Sequence, residues 1–123
     1  MLPEGYRIRT SPLEAAEDIA RLAELNGPQA RQVRLFARED DEVSRLHLKT
    51  YRLGSIIPLS EAVPVLENFG FRVLEEVPTP VQGIGYIHDF ALGAAGDDGS
   101  AVLARAREVE HAIAAVLEGA AEN

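Results

Sequence analysis

The most informative segment of the sequence begins Leu46-His47-Leu48-Lys49-Thr50-Tyr51 and continues through Leu59-Ser60 to Leu66-Glu67-Asn68-Phe69-Gly70. In its first part, leucines alternate with polar residues, which predicts a β-strand with one buried face. In its second part, Ser60 is expected to be the N-cap of a helix that runs to Phe69. Gly70 is then expected in the left-handed conformation that ends many helices. The stretch therefore predicts a strand followed by a helix with a defined start and end.

Two more helices are predicted on either side of this stretch. Ser11-Pro12-Leu13-Glu14 has the pattern of a capping box with proline at the first helical position, and Asn26-Gly27-Pro28 ends that helix. A last helix is predicted from about Ser100 to Glu118. The apolar stripes expected to face the core are Ala15, Ala16, Ile19, Leu22 and Ala23 in the first helix and Val102, Ala106, Val109, Ile113 and Val116 in the last.

Alternating apolar and polar residues predict further strands. One covers residues 32–37, one covers residues 71–77 with Pro78 as its end, and one covers residues 85–92 after the turn around Gln82-Gly83. Gly5 to Thr10 is a weaker candidate for a first strand. The acidic residues 39–42 fit the hairpin loop before the strand at 46–51.

This order of elements predicts one α+β domain over residues 1–123, with a core at about 5–92 and an added C-terminal helix at about 100–118. A β-α-β-β-α-β order is typical of the ferredoxin-like fold, in which a mainly antiparallel sheet of four or five strands carries two core helices on one face. The other face is expected to be covered by the last helix, by a second chain or by a neighbouring domain. The aromatic residues assigned to that face are Phe36, Tyr51, Tyr86 and Phe90.

Charge and composition exclude several classes of function. The net charge is −8 and Lys49 is the only lysine, so binding to nucleic-acid phosphates is not expected. The absence of cysteine removes disulfides, thiol catalysis and thiolate metal sites, and it suits a cytoplasmic protein. No apolar run is long enough to cross a membrane, and the N-terminal residues lack a signal-peptide pattern.

The sequence predicts no catalytic, cofactor-binding or metal-binding residue. His88 and Asp89 are adjacent on a strand and therefore point to opposite faces, as do Glu75 and Glu76. His47 and His111 add no metal-ligand spacing. No glycine-rich dinucleotide fingerprint precedes a helix, and no serine has the setting of a hydrolase nucleophile.

Several of these segments, taken together, resemble the N-terminal regulatory region of the large bacterial NAD-specific glutamate dehydrogenases, which is built from ACT-like domains. The residues that carry the resemblance are Tyr6, Ser11, Ala15 to Ala20, Leu48-Lys49, Tyr51-Arg52, Leu59-Ser60, Leu66-Glu67-Asn68, Gly70, Arg72-Val73 and Ile87-His88-Asp89-Phe90. The resemblance implies an ACT-like domain that is one piece of a much longer chain.

That resemblance also implies a function, which is a non-catalytic regulatory or assembly role in an enzyme that converts L-glutamate and NAD to 2-oxoglutarate, ammonia and NADH. No catalytic residue of the family falls in this segment, so NAD belongs to the parent enzyme and not to this chain. The expected partners are other domains and subunits of a homo-oligomeric parent. The alternative is an amino-acid-binding sensor module, because ACT domains bind amino acids near the turn that corresponds to Thr10-Ser11-Pro12. A small freestanding enzyme is a third hypothesis, for which no convergent titratable groups are visible.

Overall fold

A computed structural model describes residues 10–27, 30–37, 45–54, 58–94 and 99–122 of the chain. The helices and strands within these ranges are α1 Pro12–Ala23, β1 Gln32–Phe36, β2 Arg45–Leu53, α2 Leu59–Asn68, β3 Phe71–Val81, β4 Gly85–Ala94, α3 Gly99–Leu103 and α4 Ala106–Glu122. The predicted strand at Gly5 to Thr10, apart from Thr10, and the predicted loop at 39–42 lie outside the described residues.

The four strands form one sheet in the order β1-β2-β4-β3, and every neighbouring pair is antiparallel. This confirms the predicted α+β class with an antiparallel sheet. From β1 onward, a unit of two antiparallel strands followed by a helix occurs twice. The first unit is β1-β2-α2 and the second is β3-β4-α4, with the short α3 between β4 and α4. The two hairpins meet along β2 and β4 at the centre of the sheet.

The helices are distributed over the two faces differently from the prediction. Apolar residues of α2 and α4, Leu66 and Ile113 among them, share a buried cluster with Leu48 and Phe90 on one face. Leu22 of α1 packs instead with Tyr51 and other residues of the opposite face. The last helix is therefore the second core helix, and among the described helices the first one packs on the other face.

The four aromatic residues assigned to one face are divided between the two. Phe90 is the register partner of Leu48 and Tyr86 the partner of Arg52, so both lie on the face under α2 and α4. Phe36 is next to Leu35 on β1, and Tyr51 is next to Arg52 on β2. Adjacent strand residues point to opposite faces, so Phe36 and Tyr51 lie on the face that α1 covers. The prediction of a shared aromatic face is wrong, and none of these four side chains is classed as exposed.

The start of α1 follows its sequence, but its buried face does not. The Ser11 hydroxyl oxygen accepts a hydrogen bond from the backbone N–H of Glu14 at 3.2 Å, with Pro12 at the first helical position. The buried residues are Asp18 and Leu22, whereas Ile19 is 41% exposed. The predicted apolar stripe of this helix points mostly to solvent because a buried carboxylate takes the central inward position.

Helix α2 confirms the predicted helix with a shifted start. Pro58 is its N-cap residue and makes no side-chain capping hydrogen bond, so the prediction of Ser60 as the N-cap is wrong. The Pro58 carbonyl accepts from the N–H groups of Glu61 and Ala62. At the other end, Gly70 has a φ of 90°, and Phe71 packs in the same cluster as Leu66.

Strand β3 continues through the prolines that were expected to end it. The backbone carbonyl of Val81 accepts a hydrogen bond from the N–H of Ile84 in the hairpin turn, so the backbone groups of Val81 face β4. Backbone groups alternate in direction along a strand, and those of Pro78 and Pro80 therefore face away from β4, toward the open edge. Proline is tolerated there because an outer strand has no partner on that side. The register with β4 also shifts between Val73 and Glu75.

The predicted C-terminal helix is two helices, because a turn at Ala104 and Arg105 separates α3 from α4. Ile113 is buried as predicted. Val102, Ala106 and Val109 also pack against the core as predicted. The predicted apolar stripe is wrong only at Val116, which is 46% exposed while Leu117 is buried in its place.

Substitution of Gly70 by valine should lower the free energy of unfolding by about 1 kcal/mol or more, because a β-branched side chain is strained at a left-handed position. Urea unfolding of the purified chain measures the change. Gly119→Val is the control, since a Cβ at Gly119 meets nothing within 4 Å and that glycine is not at a positive φ. Equal effects of the two substitutions would contradict the role assigned to Gly70.

Candidate functional site

A buried network of charged side chains joins α1 to the sheet. The Lys49 Nζ atom lies 2.6 Å from Oε1 of Glu14 and 2.7 Å from Oδ2 of Asp18. Asp18 is 0% exposed and Lys49 is 1% exposed. Glu14 and Asp18 lie on the same face of α1 because they are four residues apart in the helix. Both carboxylates can therefore contact the one Lys49 side chain on β2.

Tyr51 and Arg34 complete the network. The Tyr51 hydroxyl donates a hydrogen bond of 2.5 Å to Oδ1 of Asp18, and Nε of Arg34 donates to the Tyr51 oxygen at 3.3 Å. Nη2 of Arg34 lies 3.5 Å from the same Asp18 oxygen. The guanidinium group also stands 4.2 Å from the centre of the Phe36 ring, a cation–π arrangement.

Burial and neighbouring charges shift the pKa values of two members of this network, Tyr51 and Arg34. Burial, the Asp18 charge and the hydrogen bond to Asp18 raise the pKa of the Tyr51 hydroxyl far above its usual value. Burial lowers the pKa of Arg34, but its hydrogen bond to Tyr51 and the charges of Asp18 and Glu14 outweigh that effect and raise it. The raised pKa values keep the Tyr51 phenol neutral and the Arg34 guanidinium charged at neutral pH.

Among the described residues, a small apolar cluster accompanies the network. Leu22 of α1 packs with Tyr51, Val81 and Ile87, and two partly buried residues join them. Within the described residues, the buried ion pairs position α1 on the sheet together with this small apolar cluster. Removing one partner of such a pair is costly because the other charge stays buried without compensation.

A second polar pair lies on the opposite face of the sheet. Nε2 of His88 is 2.5 Å from Oε2 of Glu76 on the neighbouring strand β3, and the His88 ring packs against Phe90 with centroids 4.7 Å apart. Asp89 points to the other face, where it lies 3.9 Å from Nδ1 of His47. The predicted separation of His88 from Asp89 is confirmed, and the partner of His88 is a carboxylate that the sequence pattern does not connect to it.

The surroundings of His88 resemble a hydrolase arrangement in composition only. Thr50 is its register partner on β2, but among the described residues neither Oγ1 of Thr50 nor Nδ1 of His88 has a hydrogen-bond partner. Both residues are buried. A nucleophile needs a base within hydrogen-bond reach and access to substrate, and this buried group shows neither feature in the described residues.

The outer edge of β1 forms a groove with α4. The Glu110 carboxylate accepts from the N–H of Leu35 at 2.7 Å, and that of Glu118 accepts from the N–H of Arg31 at 3.2 Å. On the same edge, Nη1 of Arg21 donates to the carbonyl of Val33 at 3.5 Å. These side chains occupy backbone groups that an added strand would need.

The groove has a volume of about 350 Å³ and carries both signs of charge. Arg21 and Arg31 line it together with Glu110 and Glu118, and Ala114 leaves it open between the two carboxylates. Burial and the nearby charge of Arg52 lower the pKa of Arg31, against the opposing effect of Glu61 and Glu118.

Within the described ranges, no three His, Asp or Glu side chains come together as a potential metal site. Among the helices of the same residues, none combines the length and the apolar character needed to span a bilayer.

The sequence of the sheet region identifies the family. Residues 30–106, which span all four strands and α2, match the family described as the glutamate dehydrogenase ACT3 domain. The chain belongs to this ACT3 domain family. Lys49, Tyr51 and Arg34 lie inside the matched range, whereas α1 with Glu14 and Asp18 precedes it.

Two curated proteins show the same relation. The chain is 36% identical over 93 residues to the NAD-specific glutamate dehydrogenase of Halomonas elongata. The aligned residues cover 73% of the chain and 6% of that enzyme. It is also 36% identical over 93 residues to the enzyme of the same name from Pseudomonas aeruginosa, covering 72% of the chain and 6% of that enzyme. The ACT3 domain chain thus spans about 6% of the length of these relatives.

Replacing Asp18 by asparagine should lower the free energy of unfolding of the ACT3 domain chain by about 3 kcal/mol, because the buried Lys49 loses one of its two carboxylates. Denaturant unfolding at neutral pH measures the change. Glu17→Gln is the matched control, since Glu17 pairs with Arg21 on the same helix but is 44% exposed, and exposed pairs contribute about 0–1 kcal/mol. A loss for Asp18→Asn as small as the control would show that the network does not hold α1.

Alkaline pH should destabilise the domain through Tyr51. Below pH 10 the phenol is neutral in both states and its contribution is fully present. Above pH 10 the unfolded chain releases the proton while the folded domain keeps it, because the folded pKa is raised. Stability should therefore fall by about 1.4 kcal/mol per pH unit from this residue.

The measurement is the unfolding free energy of the wild-type chain and of Tyr51→Phe between pH 9 and pH 11. The phenylalanine variant lacks the titrating hydroxyl and should show a shallower decline, although it starts from a lower stability. Parallel declines in the two proteins would refute the assignment.

Proposed function

We propose that this domain is a non-catalytic regulatory or assembly domain of an NAD-dependent glutamate dehydrogenase. The observation that carries the proposal is the match of residues 30–106 to the ACT3 domain of that enzyme family. The parent enzyme would convert L-glutamate and NAD to 2-oxoglutarate, ammonia and NADH. Glutamate and NAD would bind in parts of the parent chain outside this segment.

The burial of the titratable groups supports a structural and regulatory role. Asp18, Lys49 and Tyr51 are almost completely buried, and their polar atoms bind one another across the boundary between α1 and the sheet. Catalysis requires titratable groups that converge on a site open to substrate. The network instead fixes one segment of the domain against another.

Partners and location are part of the same proposal. The expected partners are other domains and subunits of a homo-oligomeric parent. A cytoplasmic location is consistent with a chain that has no cysteine and therefore needs no oxidising compartment.

The groove between β1 and α4 favours an amino-acid sensor as the second candidate. Its guanidinium groups, Arg21 and Arg31, match a carboxylate, and its carboxylates, Glu110 and Glu118, match an ammonium group. Charge-assisted hydrogen bonds of this kind are the stronger ones in proteins. This candidate requires saturable binding of an amino acid, whereas the assembly role does not.

The purified chain should neither bind NADH at micromolar concentrations nor form NADH from glutamate and NAD. Calorimetric titration with NADH, and separately with L-glutamate and other amino acids, measures binding, and NADH fluorescence measures turnover. Saturable NADH binding would contradict the proposal. Amino-acid binding that Glu118→Gln weakens would favour the sensor, with Glu108→Gln on an exposed part of α4 as the control.

The regulatory role is tested in the full-length parent enzyme, by deleting the segment that corresponds to residues 10–122. The deletion should change subunit assembly or the response to effectors, because the domain supplies contacts and not chemistry. Unchanged assembly and unchanged effector response, in an enzyme that keeps its activity, would refute it.

A further inference from the structure

Helix α1 exposes an apolar surface on the side that faces away from the sheet. We call this surface the outer stripe of α1, and its residues, all exposed, are Pro12, Leu13, Ala16, Ile19, Ala20 and Ala23. Leu13 is 86% exposed, the highest value among the large exposed hydrophobic residues of the described ranges. The opposite side of the helix carries Glu14, Asp18 and Leu22 toward the sheet. The usual arrangement of an amphipathic surface helix, with its apolar stripe inward, is reversed.

The charge network prevents α1 from turning this stripe inward. Rotation of the helix about its axis would separate Asp18 from Lys49 and Tyr51, which contact its two carboxylate oxygens. Lys49 would stay in the sheet with an incompletely compensated charge. The outer stripe is therefore held in solvent by the interactions of the inner side.

The edges of the sheet offer little opportunity for association by strand pairing. On β1, the N–H group of Leu35 donates to Glu110, and just before the strand the N–H group of Arg31 donates to Glu118. On β3, Pro78 and Pro80 remove donors from the open edge. Both features prevent an outer strand from pairing with a strand of another chain. We therefore expect a partner to bind at a surface other than the sheet edges.

We propose that the outer stripe of α1 docks against an apolar surface of another domain of the same polypeptide. This inference rests on the proposed function, since it names the surface through which the domain joins its parent. Helix α1 precedes the matched range 30–106, and the chain spans only about 6% of its relatives. The helix is thus placed where the ACT3 domain would meet the rest of such a chain.

The size and charge of the stripe favour a tethered partner over a second copy. Twelve residues of helix are about 18 Å long, so the stripe can cover roughly 200 Å² per side, against about 800 Å² per partner in a standard stable interface. Two copies would also each bring a net charge of −8. A tether supplies an effective concentration on the order of millimolar, which makes a small contact sufficient.

Cysteine labelling tests the proposal, because the chain contains no cysteine of its own. Ala16→Cys places one thiol in the outer stripe, and Ala112→Cys places the control thiol at an exposed position of α4. Each variant is made in the 123-residue chain and in the full-length parent enzyme. Peptide mass spectrometry then gives the alkylation rate at each site.

Both thiols should react at similar rates in the 123-residue chain, and the Ala16→Cys thiol should react at least tenfold more slowly in the full-length enzyme. Equal rates at this site in the two proteins would overturn the proposal, as would equal slowing at both sites. Slowing that appears in the 123-residue chain as its concentration rises would assign the stripe to a second copy and overturn the choice of partner. The labelling experiment measures contact of α1 with another domain, whereas the deletion experiment measures regulation and assembly. Protection of the Ala16→Cys thiol, together with a deletion that changes neither, would refute the proposed function and leave the docking proposal standing.

Discussion

The contact between Lys49 and Asp18 is the constraint on which the arrangement of this molecule depends. The only lysine of the chain lies inside it, 2.7 Å from a carboxylate that is itself inaccessible to solvent. Buried charges add little net stability when paired but are costly when separated. The pair therefore acts mainly to select one placement of α1 on the sheet, and that placement decides which side of the helix meets water.

The remaining structure is two copies of a hairpin followed by a helix, interlocked about the centre of the sheet. Helix α2 of the first unit packs over β3 of the second, and α4 of the second packs over β1 of the first. Each unit thus covers a strand of the other, so neither can bury its own apolar face alone. The shared core, with Leu66 and Ile113 meeting over Phe90 and Leu48, makes folding of the two units cooperative.

Local patterns were sufficient where the determinant is local. Alternation at Val33 and Leu35 and at Leu46 and Leu48 predicted the strands, and the Ser11 cap and the Gly70 turn predicted helix ends, because neighbouring residues settle them. The inner side of α1 could not be predicted in this way, since burial of Asp18 depends on Lys49, 31 residues away. The contact between Glu76 and His88 could not be predicted either, because it joins two neighbouring strands. The continuation of β3 past Pro78 was also not predictable from local sequence, because it depends on the position of β3 at the edge of the sheet.

The closed edges of the sheet have a consequence for synthesis. In a polypeptide as long as the relatives of this chain, the domain would form while many other segments are still unfolded nearby. Unpaired strand edges in such intermediates are sites of misassembly. Carboxylates that take the place of a neighbouring strand on β1, and prolines on β3, would let this sheet finish folding without capturing a segment that belongs to another domain.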